Sequence, residues 1–245
     1  MYFNQERELR ITSNAKNSKL KQCADEFFVK SVEAGYCYNF EWMGFPIIQY
    51  PQDIVALQEI IFRTKPNIII ETGFARGGSS VFFASLLTLL QHNKLITLPP
   101  KVVSIDVKIN QKAIAELNKT EFAPLINTIE ESSVSDEVLG RVLKLVNKND
   151  RIMVVLDSMH THDHVLKELR KYSPLVTSGC YFCALDTAIS YLPADTSANR
   201  PWSPDNSPFT AVKTFLEENQ SFSVDSQIDD KLLVSVARSG YLIRS

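Results

Sequence analysis

The chain has 245 residues, 44% hydrophobic and 22% charged, with 26 Lys+Arg against 28 Asp+Glu for a formal charge of -2. That length can bury one sizeable core, and the near-neutral balance excludes a general electrostatic attraction to nucleic acid or anionic membrane. No basic leader with an apolar stretch opens the chain and no apolar run approaches the roughly 20 residues that span a bilayer, so a cytoplasmic protein without a transmembrane segment is expected.

Residues 1–50 read as a helical and loop cap, and residues 51–245 as one compact α/β domain. From Pro51, the apolar residues Ile54, Leu57, Ile61 and Phe62 keep a helical rhythm that stops near Pro66. Ile68-Ile-Ile then forms an unbroken β-branched run without polar alternation, which suits a strand covered on both faces. Further strands are predicted at Val102 to Ile105, Leu125 to Ile129, Ile152 to Leu156, Gly179 to Leu185, Phe222 to Val224 and Leu232 to Val236. Helical patterns lie at Ser79 to Gln91, Gln111 to Lys119, Asp136 to Asn147, Asp163 to Tyr172 and Pro208 to Glu218. Alternating elements predict a doubly wound, Rossmann-like seven-stranded sheet, mostly parallel. Asp225 to Lys231 is too short for a helical crossover, so the last strand should run antiparallel.

In such a sheet, ligands bind outside the carboxyl ends of the strands, near the point where strand order reverses. Only 8 glycines serve the whole chain, and Gly73, Gly77 and Gly78 cluster after the first strand, in Glu71-Thr-Gly-Phe-Ala-Arg-Gly-Gly-Ser79. Small residues let the backbone turn sharply and approach a ligand, and Ser79 is placed to cap the next helix. Gly73-x-Ala75-x-x-Gly78 also fits a dinucleotide fingerprint, which keeps an NAD-dependent oxidoreductase open. Glu71, two residues before the first glycine, favours a cationic amino-acid cofactor over a pyrophosphate. Asp106 ends the second strand, where a carboxylate can accept both hydroxyls of a ribose. Ser132 and Ser133 follow the third and suit an adenine edge, with helix capping by Ser133 or Ser135 as the competing role.

The fourth strand ends in Asp157-Ser-Met-His160-Thr-His162-Asp-His164, which holds three of the four histidines. A two-zinc hydrolase run would need a different spacing and further ligands downstream. Instead, Asp157 can ligate a hard divalent ion and His160 can act as a base near neutral pH, while His164 is expected to cap or face solvent. Asp186 ends the fifth strand and brings a second carboxylate to the same edge, making Asp157 and Asp186 a candidate magnesium pair. Cys180-Tyr-Phe-Cys183 has the spacing of half a zinc site or of a redox pair, but its apolar neighbours favour a buried strand. The loop from Thr196 to Ser207, with Trp202, is long enough to cover a substrate.

Four segments carry a resemblance: Tyr36-Cys-Tyr-Asn-Phe-Glu-Trp-Met-Gly-Phe-Pro-Ile-Ile-Gln49, Glu71 to Ser79, Leu156-Asp-Ser-Met-His-Thr-His-Asp-His-Val165 and Arg200-Pro-Trp-Ser-Pro204. Together with Asp229 to Ala237 and Gly240 to Arg244, they resemble the cephalosporin hydroxylase / rhamnosyl O-methyltransferase family from about residue 34 onward. The resemblance implies a class I methyltransferase fold, S-adenosylmethionine and a magnesium ion at the substrate hydroxyls. Glu71, Gly73, Ala75, Arg76, Gly77, Gly78, Ser79, Asp106, Ser132 and Ser133 would then hold the cofactor. Asp157 and Asp186 would hold Mg2+, and Asp157 and His160 would carry the chemistry. The family commonly has Glu-Asp after the fifth strand, whereas this chain has Leu185-Asp186, so one metal carboxylate is missing.

The expected function is methyl transfer to a hydroxyl of a sugar or glycolipid acceptor, with no nucleic-acid partner and with a homo-oligomer as a compatible assembly. A non-catalytic homologue that keeps only the cofactor pocket is the third reading, because of Leu185.

Overall fold

A computed structural model describes residues 2–197 and 199–245. Two helices open it, α1 (Tyr2–Lys16) and α2 (Ser18–Glu33), and Asn17 between them caps α2 by accepting the Leu20 N–H at 3.1 Å. A hairpin then forms from β1 (Phe40–Trp42) and β2 (Phe45–Ile47), where the sequence suggested only helix and loop. Met43 and Gly44 sit at φ 51° and 83°, the backbone of a two-residue hairpin turn in which both residues are left-handed. Strands of three residues are too short to impose a readable period, so the Met-Gly pair was the only cue.

The remaining elements are α3 (Pro51–Thr64), β3 (Ile68–Thr72), α4 (Gly78–His92), β4 (Lys101–Asp106), α5 (Gln111–Leu117), β5 (Ile126–Glu130), α6 (Asp136–Leu143), β6 (Ile152–Leu156), α7 (His162–Tyr172), β7 (Tyr181–Ala184), α8 (Pro208–Glu218), β8 (Phe222–Val224), α9 (Ser226–Leu232) and β9 (Tyr241–Arg244). Seven strands make one sheet in the order β5-β4-β3-β6-β7-β9-β8. Every neighbouring pair from β5 to β7 is parallel, and β9 runs antiparallel to both β7 and β8. The doubly wound sheet with an antiparallel last strand is therefore as expected.

Both faces of the sheet are covered, which explains the unbroken apolar strands. Ile69, Val102, Met153 and Val155 face α2, α3 and α4, while Ile68, Ile70, Val103 and Val154 face α6, α7 and α8. The helix α4 is apolar almost all round because the hairpin covers its outer side: the Trp42 indole N–H donates to Ser85 Oγ at 3.0 Å and its ring packs edge-on against Phe82.

The last strand lies elsewhere than predicted. Leu232 to Val236 is not β9; that strand is Tyr241–Arg244, and the connection from β8 contains α9. The apolar run is buried without being extended, since Val234, Val236 and Ala237 enter the core while Leu233 and Ser239 take positive φ. Buried Asp53 on α3 supplies the bonding a strand ladder would have supplied. Its carboxylate accepts the Val236 N–H at 3.0 Å, the Ser235 hydroxyl at 2.6 Å and the Tyr241 hydroxyl at 2.7 Å.

From β3 the chain winds outward through β4 and β5, then returns to β6 on the other side of β3. The reversal opens a crevice at the carboxyl ends of β3 and β6. Among the described residues, no helix is long and apolar enough to cross a membrane.

Candidate active site

Close backbone packing builds the crevice. Gly73 directly follows β3 at φ 96°, and a Cβ there would lie 2.0 Å from the Asp157 carbonyl oxygen. The Gly73 N–H donates to Ile105 O at 2.7 Å and the Asp157 N–H to Thr72 O at 2.9 Å, so three strand ends are stitched together at that residue. Gly77, at φ 80°, is the residue that precedes α4. Ser79 therefore does not cap the helix as expected; it lies in the first turn, because a left-handed glycine performs the reversal. Gly78 touches the hairpin, where a Cβ would stand 2.2 Å from Pro46 O.

A cavity of about 680 Å3 lies over this floor, a size suited to a small organic ligand. Of the predicted cofactor residues, Gly73, Ala75, Arg76, Gly78 and Ser79 line it; Asp157, His160 and Asp186 line it from the other side. Ala75 and Asp186 both hold positive φ, 44° and 57°, at the cavity edge.

The other predicted residues are not among those lining the cavity. Glu71 is buried and accepts hydroxyl hydrogen bonds from Ser104 at 2.6 Å and from Ser80. Burial raises its carboxyl pKa above the usual range, with those hydroxyls opposing. Asp106 takes the Phe74 and Ala75 N–H groups on one oxygen, at 2.9 and 3.2 Å, and the Lys108 N–H on the other at 3.1 Å. Its carboxylate shapes the loop. Gly77 packs against Phe74, a contact internal to the loop. Ser132 donates its N–H to the Glu131 side chain at 2.8 Å, Ser133 pairs with His164, and Ser135 caps α6.

At the carboxyl ends of β6 and β7, one ligand atom each from Asp157, His160 and Asp186 lies within 4.8 Å of the others. His160 Nε2 is 3.2 Å from Asp186 Oδ2, and Trp202 packs edge-on against the imidazole with ring centroids 4.7 Å apart. The Arg200 guanidinium lies 5.3 Å from the Trp202 ring centre. Ala198, within the loop expected to cover a substrate, lies outside the described residues. Burial, then the carboxylates of Asp186 and Glu71, push the Asp157 carboxyl well above the ordinary carboxylate range, and a hydrogen bond from Gln49 pulls it back. Among the described residues, neither Asp157 nor Asp186 has an ion pair with Lys or Arg. Two hard carboxylates and an imidazole around unbalanced negative charge fit a divalent cation.

Only His160 of the three clustered histidines faces the cavity. His162 Nδ1 bonds Thr210 Oγ1 at 2.8 Å. His164, expected at the surface or as a cap, is partly buried in a network with Ser133, Ser158 and Glu168, because α7 turns it inward toward β5 and β6. Gln49 and Cys37 were missed as site residues; both reach the cavity from the segment before α3, far from it in sequence. Burial, then the Asp186 charge, raises the Cys37 thiol to about 11, so it stays protonated at neutral pH. Cys180 and Cys183 are buried at β7, as their apolar neighbours predicted. Leu185 is buried in the core and offers no ligand atom.

A family model described as Rhamnosyl O-methyltransferase/CmcI matches residues 34–245. The chain is 28% identical over 205 residues to a rhamnosyl O-methyltransferase of Mycobacterium leprae (strain TN), covering 83% of this chain and 82% of that one. The same identity holds over 217 residues with that of Mycobacterium tuberculosis (strain ATCC 25618 / H37Rv), with 86% and 82% covered. Among solved structures, CmcI with Mg and SAM is similar at a TM-score of 0.57 and 16% identity, over 85% of this chain and 77% of that one. An O-methyltransferase from Bacillus cereus in complex with SAH gives 0.52 and 11%, over 82% of each. These two likenesses are ones of fold.

Proposed function

We propose that this chain, which belongs to the rhamnosyl O-methyltransferase/CmcI family and is an S-adenosylmethionine-dependent O-methyltransferase, methylates a hydroxyl of a sugar or glycolipid held beside His160. The observation that carries this reading is the meeting of Asp157, His160 and Asp186 in one cavity with the glycine loop.

S-adenosylmethionine supplies a methyl group already activated on a sulfonium, so the chain contributes alignment and proton removal. The backbone from Gly73 to Ser79 is the cofactor side, with Asp106 holding the Phe74 and Ala75 amides in place. His160 is the general base. With Nε2–H donated to Asp186, Nδ1 keeps the free lone pair that takes the hydroxyl proton. Asp186 then stabilises the imidazolium, and Trp202 restrains the ring plane. Asp157 and Asp186 are the carboxylates for Mg2+, a metal present with SAM in the CmcI structure. Such an ion, when bound, lowers the pKa of a hydroxyl it ligates. Apolar Phe28, Val32, Ile48 and Ile189 and aromatic Tyr38 also line the cavity, which suits an acceptor with an apolar portion.

Calorimetry with S-adenosylmethionine and its demethylated product, followed by transfer of a labelled methyl group to a panel of sugar and glycolipid acceptors, tests the reading. Saturable micromolar cofactor binding and a methylated product are expected. Absence of cofactor binding would end it. A nicotinamide cofactor that stabilised the protein more than S-adenosylmethionine would favour an oxidoreductase.

A further inference from the structure

Gln49 lies between the hairpin and α3, 108 residues from Asp157, yet its side-chain N–H donates to Asp157 Oδ2 at 3.0 Å. The residue is only 5% exposed. Its other polar atom, Oε1, is buried without a partner among the described residues. A buried amide with one group unbonded is less stable than one with both groups bonded. What the amide alone provides is the N–H on Asp157.

Its backbone is anchored on both sides. Pro46 O presses on Gly78 at the start of α4, and the Tyr50 hydroxyl bonds Ser31 Oγ at 2.6 Å. Leu185, the residue before Asp186, supplies no further carboxylate to the cluster. With two carboxylates in the cluster, cation affinity depends on how well each is oriented.

We propose that Gln49 is a positioning residue of the cation site: its amide N–H holds one oxygen of Asp157 so that the carboxylate stays turned toward His160 and Asp186. This rests on the divalent-cation part of the function proposed above. Groups that orient a ligating side chain from behind are worth 10–100-fold in metal affinity.

The test is Mn2+ binding by calorimetry to the full chain and to Gln49→Met and Gln49→Asn, with S-adenosylmethionine binding and Tm measured in parallel. Met fills the space without a donor; Asn keeps the amide but falls one methylene short. Mn2+ affinity is expected to fall about 10–100-fold in both, with cofactor affinity within about twofold. A merely structural residue would instead lower Tm and cofactor affinity together. Wild-type Mn2+ binding retained within about twofold in either folded variant overturns the assignment alone. Cofactor binding by a wild type that takes no Mn2+ overturns it together with the cation reading, leaving the methyltransferase assignment intact.

Discussion

His160 Nε2 lies 3.2 Å from Asp186 Oδ2, a contact that orients the imidazole at the cavity wall and on which the proposed base role rests. His160→Ala should lower kcat by about 10²–10⁴, the usual worth of a positioned base, with S-adenosylmethionine affinity within about twofold. Single-turnover transfer alongside calorimetry separates the two. Equal loss of both would mark the histidine as structural.

Asp157 is buried beside the carboxylates of Asp186 and Glu71, and burial and those charges raise its pKa in the folded state. Its ionised form therefore costs stability at neutral pH when no cation is present. Asp157→Asn should melt at a higher temperature than wild type in chelator, yet bind Mn2+ far more weakly. A lower Tm in chelator, measured by scanning calorimetry, would contradict this.

Gly73→Ala places a Cβ 2.0 Å from Asp157 O at φ 96°. Strand ends and loop must shift together, at a cost on the order of 3 kcal/mol. Urea unfolding should show that loss, and cofactor binding should fail with it. Gly140→Ala, where nothing stands within 4 Å, is the matched control.

Asp53 bonds three groups around the connection before β9, and burial raises its carboxyl to about 6. Because the folded pKa exceeds the unfolded one, its stabilising share is full below about pH 4 and is lost as pH rises through about 6. Asp53→Asn should flatten stability between pH 4 and 6, read from urea midpoints. Asp53→Ala should destabilise throughout by leaving Val236 N–H and the Ser235 and Tyr241 hydroxyls unpaired.

Local sequence was enough for the doubly wound sheet, because the runs Ile68 to Ile70, Val102 to Ile105 and Ile152 to Leu156 each record burial on both faces. The strand ends followed from the same pattern, which is why Gly73, Asp157 and Asp186 were legible as edge residues. The one-dimensional pattern stopped short where a long-range partner replaced local bonding. Leu232 to Val236 reads as a strand until Asp53, far away on α3, takes its amide. Glu71, Asp106, Ser132 and Ser133 have residue types suited to their strand ends, but only packing decided that Ala75, Arg76 and Ser79 line the cavity while those four are not among its lining residues. Likewise the sequence singled out His160 of three histidines two residues apart, but expected His164 as a cap or at the surface. The start of α7 at His162 separates them, sending His164 inward to Glu168 and leaving His160 beside Asp186. Residue type and spacing determined which chemistry the chain carries; the close approach of strand ends and helix turns, which no local segment encodes, decided which side chains share a cavity.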